Sequence, residues 1–116
     1  MKPNPRQRLH DIIEAIEKIE GFIKDADFNL YHTDPMLHDA IERNVEIISE
    51  ASRHIPDDMK DRFKDIPWRQ IADIGNALRH GYDVIDDKAM WNTVNNDLAP
   101  LKEAVIAMIE EVGKRP

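Results

Sequence analysis

The chain has 116 residues, of which 41% are hydrophobic and 34% are charged, with no cysteine and a net charge of −7. These values predict one globular domain over residues 1–116 and exclude disulfides and thiolate metal sites. No segment approaches the roughly 20 apolar residues of a membrane span, and no signal-peptide apolar block is recognisable, so we expect a cytoplasmic protein.

The acidic charge also limits the partners of the chain. Carboxylates outnumber basic side chains by 23 to 16, whereas a free-standing nucleic-acid binder usually carries a basic face. Any RNA contact must therefore be confined to a cleft or helped by a second protein. An acidic surface equally suits a basic protein partner.

The predicted elements in the first half of the chain are helices. Apolar residues recur at three- and four-residue steps over residues 5–27 and predict a first helix there. Asp34 is the predicted N-cap of a second helix, with Pro35 at its first position and Pro56 at its end. A short helical turn follows, through Phe63.

Two more long helices are predicted in the second half. The third covers about residues 67–80 and ends at Gly81, where a left-handed residue commonly closes a helix. The fourth covers about residues 87–112, and Pro100 inside it should kink or divide it. The predicted fold is therefore all-α, an antiparallel four-helix-type bundle with an additional short helix.

The most unusual segment is IGNALRHGYD, at residues 74–83. By itself it has a structural explanation, because Arg79 and His80 complement the helix dipole and Gly81 ends the helix without steric cost. From spacing alone, this structural role is favoured over a functional one.

An ordered series of motifs surrounds this segment. It consists of DPML at residues 34–37, DAI at 39–41, RNVEIISEA at 43–51, PWRQIA at 67–72, Asn76, Leu78, HGY at 80–82, Asp86, Trp91, DL at 97–98 and PLK at 100–102. The series, which covers residues 8–112, resembles the HepT-like branch of the HEPN superfamily. The resemblance implies small helical proteins that usually form homodimers, many of them metal-independent endoribonucleases acting as toxins.

The resemblance also implies roles for single residues. The family hallmark is an Arg followed, after four to six residues, by a His; a Tyr two positions later accepts AMP from a minimal nucleotidyltransferase antitoxin. His80 matches the catalytic His, Tyr82 matches the AMP acceptor and Asn76 matches the polar residue after the Arg. The Arg position itself is occupied by Gly75.

Neither nearby arginine replaces that Arg simply. Arg79 points about 100° away from His80 around the helix, and Arg69 lies about 16 Å from His80 along the axis. Arg79 stays the third candidate catalytic residue, because a cation must stabilise the charge that develops on the phosphate. Replacing Gly75 by Arg should raise activity, and should not harm folding unless the position is tightly packed.

Two interpretations remain open. The first is a toxin-side ribonuclease with a weakened motif, which binds RNA between two subunits and is neutralised through Tyr82. Two copies of His80 would supply the acid and the base of cleavage. The second is a non-catalytic module that binds the nucleotidyltransferase. Gly75 and the acidic charge favour the second, and the retained His80 and Tyr82 favour the first.

Other polar residues carry weaker predictions. No cofactor or metal is expected, because His32 and His38 have no paired carboxylate pattern in the sequence. Arg43 and Asn44 could face the cleft, although a surface salt bridge is the default for such a pair. Glu42, Glu46 and Glu50 are predicted to form a solvated helix face. Trp68 and Trp91 are predicted to lie in the core.

Overall fold

The computed structural model describes residues 5–80 and 85–113, apart from the side chain of His80. This part of the chain is helical and contains no β-strand, which confirms the all-α prediction. Its seven helices are α1 (Pro5–Ile23), α2 (Phe28–Thr33), α3 (Pro35–Ser52), α4 (Asp57–Lys60), α5 (Trp68–His80), α6 (Asp87–Asn96) and α7 (Leu98–Gly113).

The first helix is shorter than predicted, and a separate helix that was not predicted follows it. α1 ends at Ile23 rather than near Asp27, and Asp27 instead caps the separate helix α2. Its carboxylate accepts a hydrogen bond from the Leu30 amide at 2.8 Å, which satisfies one of the unpaired N–H groups of a helix start. The fully buried Tyr31 anchors α2 to the core.

The predicted start of the second helix is confirmed, but its predicted end at Pro56 is wrong. Helix α3 ends at Ser52, because the next amides, of Arg53 and His54, bond to carbonyls only three residues back. The Asp34 carboxylate accepts hydrogen bonds from the Met36 amide at 2.9 Å and the Leu37 amide at 3.4 Å. The predicted division of the last helix is confirmed, since α6 ends at Asn96 and α7 begins at Leu98. Pro100 is the third residue of α7, where its missing N–H breaks no intrahelical bond.

Helix α1 lies at the centre of the packing and contacts both α3 and α7. It runs antiparallel to α7, because Lys102 near the start of α7 donates to Glu20 near the end of α1 at 2.9 Å. It is also antiparallel to α3, because Arg8 shares a surface cleft with Glu50 near the end of α3. Many of the core side chains come from these three helices: Leu9, Ile12, Ile16, Ile19, Ile41, Val45, Ile48, Leu101, Val105 and Met108.

Helix α5 packs on α3, and α2 packs on both α3 and α6. The two tryptophans are partly buried against the core, as predicted, and the Trp68 indole donates to the Phe63 carbonyl at 3.1 Å.

Among the described residues, no helix is long and apolar enough to cross a membrane.

Candidate functional site

Two of the predicted site residues meet on helix α5. Asn76 and Arg79 are three positions apart and therefore lie on one helix face, where Arg79 donates to the Asn76 side-chain oxygen at 2.8 Å. His80 is the last residue of α5, but its side chain, together with Gly81 and Tyr82, lies outside the described residues. The positions of these groups relative to Asn76 and Arg79 stay predictions.

A second contact fixes the Arg79 guanidinium. Its other terminal nitrogen lies 3.3 Å from a carboxylate oxygen of Glu50 on α3. Glu50 also pairs with His54 at 3.2 Å, and the hydrogen bonds from His54 and Arg79 hold the Glu50 pKa below its usual value. The Arg79 side chain is still 42% exposed, so the guanidinium can reach an additional anionic ligand.

Arg79 lines a surface cleft of about 200 Å³ between α1, α3 and α5. Two further arginines, Arg8 of α1 and Arg43 of α3, line the same cleft. Its acidic lining residues are Asp11, Glu46 and Glu50. Three arginines and three carboxylates make the cleft formally neutral, whereas the whole chain carries a charge of −7.

The structure separates the roles of Arg43 and Asn44. Arg43 is exposed and pairs loosely with Glu46, at 3.8 Å, on the rim of the cleft. Asn44 is buried and donates to the Ala40 carbonyl at 2.9 Å, so it does not face this cleft. The glutamates predicted to be solvated are only half-exposed, and each pairs with a basic side chain: Glu42, Glu46 and Glu50.

The position of the missing motif Arg is tightly packed. Gly75 is buried, and a Cβ atom built on it would lie 2.0 Å from the Ser49 Oγ and 2.4 Å from the Ser49 Cβ. The Ser49 hydroxyl donates to the Ala72 carbonyl at 3.1 Å, and Arg53 donates to the same carbonyl at 3.2 Å. The Ser49 side chain therefore fills the space that a side chain at position 75 would need.

Sequence reasoning missed a cluster of histidines and carboxylates where α2, α3 and α6 meet. Asp87, the first residue of α6, contacts both His32 at 2.7 Å and His38 at 2.8 Å. The spacing of His38, Asp39 and Glu42 was visible in the sequence, but the Asp87 part of the cluster was not, because Asp87 lies 49 positions after His38. Only the packing of α6 on α2 and α3 brings this carboxylate to the two rings.

Comparison with known proteins gives a consistent assignment. Residues 12–108 match the family described as Ribonuclease HepT-like. A Thermococcus cleftensis protein named "Probable ribonuclease HepT" is 40% identical over 88% of this chain and 93% of its own length. A Methanocaldococcus jannaschii protein named as a "Putative RNase" is 36% identical over 84% of this chain and 89% of its own length.

A longer relative carries a similar sequence over about half of its length. A Methanocaldococcus jannaschii protein named "Gamma-glutamylcyclotransferase and putative RNase" is 32% identical over 98% of this chain, and the chain spans about half, 51%, of its length. No solved structure matches the chain. The family match and the two near-full-length relatives establish that the chain belongs to the HepT-like ribonuclease family.

Proposed function

We propose that the chain is the toxin-side ribonuclease of a toxin–antitoxin pair, and that RNA binds in the cleft beside the end of α5. The observation that carries this proposal is the convergence of Arg8, Arg43 and Arg79 from three helices on one cleft. Guanidinium groups bind phosphate through two parallel hydrogen bonds. They offer a local binding site for the RNA backbone on a chain that is acidic overall.

The proposed chemistry needs a base for the 2′-hydroxyl proton and an acid for the departing 5′-oxygen. Histidine performs both tasks near neutral pH, so two copies of His80 in a homodimer would supply one each. The developing negative charge on phosphorus needs a fixed cation. Arg79 takes this role in the proposal, because Asn76 and Glu50 already hold its guanidinium while leaving it accessible.

The proposed regulation acts on Tyr82. A minimal nucleotidyltransferase antitoxin would transfer AMP to its phenol oxygen, with pyrophosphate leaving from ATP. Support comes from the sequence match of HGY at residues 80–82 to the family motif. The added phosphate would place a negative charge two positions from His80 and repel the RNA backbone.

A second candidate function is a non-catalytic module that binds the nucleotidyltransferase. The packing of Gly75 against Ser49 favours it, because the position that holds the motif Arg in the family here serves contact between α3 and α5. The two proposals differ in whether RNA is cleaved.

The deciding experiment incubates single-stranded RNA with chelator-treated protein in EDTA. Wild type should cleave, His80→Ala should not, and Arg79→Gln should cleave about 10²–10³ times more slowly. Arg69→Gln is the matched control, because Arg69 is exposed on the same helix and the charge change is identical. We expect this control to cleave as wild type does.

Two outcomes would revise the proposal. If wild type is folded and dimeric by light scattering yet leaves RNA intact, the ribonuclease proposal fails and the interaction module stands. If Arg79→Gln cleaves as fast as Arg69→Gln, the cleft arginine has no part in the reaction.

A further inference from the structure

A cluster distinct from the cleft surrounds His38 on helix α3. One ring nitrogen, Nε2, lies 2.8 Å from an Asp87 carboxylate oxygen. The other, Nδ1, lies 3.2 Å from a Glu42 oxygen and 3.5 Å from an Asp39 oxygen. Both nitrogens of one half-buried ring therefore face carboxylates, on opposite edges.

The spacing on the Nδ1 side suits a small divalent ion. Tetrahedral zinc, with bonds of about 2.0–2.2 Å to nitrogen and oxygen, places neighbouring ligand atoms roughly 3.3 Å apart. The distances from His38 Nδ1 to the Glu42 and Asp39 oxygens, 3.2 and 3.5 Å, bracket that value. The three ligand atoms all lie within 4.8 Å of one another, so small side-chain rotations would close the set on one ion.

The Nε2 side has the arrangement that supports a ligating histidine. Such a histidine usually donates its second N–H to a carboxylate, which fixes the tautomer and the ring orientation. Asp87 takes this place, and His32 in turn contacts its other oxygen at 2.7 Å. The Asp87 side chain is only 21% exposed.

An unpaired hydroxyl gives an independent indication of a missing ligand. Tyr31 is fully buried, its ring stacks on His38 with centroids 4.9 Å apart, and its hydroxyl has no hydrogen-bond partner within residues 5–80 and 85–113. The buried hydroxyl therefore lacks an acceptor, which is costly in a protein interior.

We propose that His38, Asp39 and Glu42 bind a divalent transition-metal ion of the zinc type, with His38 ligating through Nδ1. Asp87 and His32 orient the His38 ring, and a water on the open coordination position accepts the hydrogen bond of Tyr31. Two carboxylates and one neutral imidazole balance the charge of the ion. Because Asp87 begins α6, the site ties the start of α6 to α3. The inference is independent of the proposed ribonuclease activity.

The test titrates the metal-stripped full chain with zinc chloride by isothermal titration calorimetry. Visible absorption after cobalt(II) addition reports the coordination geometry separately. We expect one ion per chain and tetrahedral cobalt bands. His38→Ala should weaken binding by about 10²-fold or more, and Asp87→Asn should weaken it about 10–100-fold, as substitution of an orienting carboxylate does elsewhere.

A matched control is available just beyond the end of the same helix. His54 pairs with Glu50 at 3.2 Å and four-residue spacing, as His38 pairs with Glu42. His54→Ala should therefore remove an equivalent histidine without changing zinc affinity. A variant that keeps the fold is Asp39→Asn, because the Asp39 side chain is 80% exposed. We expect this variant to bind zinc about tenfold more weakly.

Three results would contradict the proposed zinc site. No heat and no tetrahedral cobalt bands with the wild-type chain would mean that the cluster is an ion-pair network without a metal. Zinc affinity unchanged in both Asp39→Asn and Glu42→Gln, with circular dichroism confirming the fold, would place any bound zinc elsewhere. A loss in His54→Ala equal to that in His38→Ala would mean that binding to surface histidines explains the signal.

Discussion

The backbone of Gly75 lies directly against the side chain of Ser49, and a Cβ on Gly75 would come within 2.0 Å of the Ser49 Oγ and 2.4 Å of the Ser49 Cβ. Rotation about the Ser49 side-chain bond would move the Oγ but not the Cβ, which is fixed to the backbone. Any side chain at position 75 must therefore push α5 away from α3 or displace Ser49. This contact explains why the chain carries a glycine inside a helix.

Gly75→Ala should destabilise the protein. Alanine is favoured over glycine inside a helix by about 1 kcal/mol, but overpacking a buried contact typically costs about 1–3 kcal/mol. We expect the overpacking cost to win, because Ser49 is 1% exposed and its hydroxyl is bound to Ala72. Urea unfolding followed by circular dichroism measures the difference.

Gly21→Ala is the control for that experiment. Gly21 lies within α1 and is exposed, and a Cβ there would meet no atom within 4 Å. The same substitution should therefore stabilise the protein by up to about 1 kcal/mol. If Gly75→Ala instead stabilised the protein as much as Gly21→Ala does, α3 and α5 would not be held at this distance in solution.

The same contact changes the design of a gain-of-function variant. The expectation that Gly75→Arg leaves folding intact held only for a loosely packed position, and this position is tightly packed. We expect Gly75→Arg alone to lose stability. Ser49→Gly removes the two atoms that a Cβ at position 75 would overlap and leaves the Ser49 Cα at 3.8 Å, an ordinary contact distance. The double variant Ser49→Gly with Gly75→Arg should therefore be more stable than Gly75→Arg alone.

The activity of the double variant tests whether the motif Arg is the missing part. RNA cleavage should increase by the order of 10² relative to Ser49→Gly alone, because a stabilising cation returns to the motif position. A folded, dimeric double variant that is no faster than Ser49→Gly would contradict this. Cleavage would then depend on Arg79 or would not occur.

Tyr82 provides a prediction that does not need nuclease activity. With ATP and a minimal nucleotidyltransferase partner, mass spectrometry should find an added AMP on Tyr82 and none after Tyr82→Phe. Tyr31→Phe serves as the comparison, because Tyr31 is the other tyrosine and is fully buried. Adenylylation that persists in Tyr82→Phe would assign the acceptor to another residue.

The ionisation of Glu50 makes the stability of the fold depend on pH. Hydrogen bonds from His54 and then Arg79 lower its pKa in the folded state below the ordinary value of 4.5. The ionised carboxylate therefore stabilises the fold above pH 4.5, and this contribution disappears as the pH falls through the folded-state pKa. The gain is small, below about 1 kcal/mol, because the side chains are exposed.

Comparison of wild type with Glu50→Gln measures this contribution. The difference in unfolding free energy should be greatest near pH 6 and should shrink as the pH falls below 4.5 and through the lowered folded-state pKa of Glu50. The exposed Glu103→Gln controls for the general loss of a negative charge. A difference that stays constant across this range would mean that the pairing of Glu50 with His54 and Arg79 does not persist in solution.

The sequence by itself determined the helices and most of their ends. Periodic apolar residues specify a helix face without reference to the rest of the chain, and caps such as Asp34 act on the next few amides only. Pro100 divided the last helix for an equally local reason. There were two exceptions: Asp27 caps a separate helix α2 that the apolar pattern did not predict, and α3 ends at Ser52, before the predicted stop at Pro56. The Asn76–Arg79 contact was likewise within reach, because three-residue spacing places both side chains on one face.

Only the tertiary structure decided the contacts between distant parts of the chain. The packing of Gly75 on Ser49 depends on how closely α3 approaches α5, and no local pattern encodes that distance. The meeting of His38 with Asp87 depends on the placement of α6 against α3. Helices form from neighbouring residues, whereas sites form where the hydrophobic core brings separate helices together, so the chemistry of this chain was the part that its sequence could least specify.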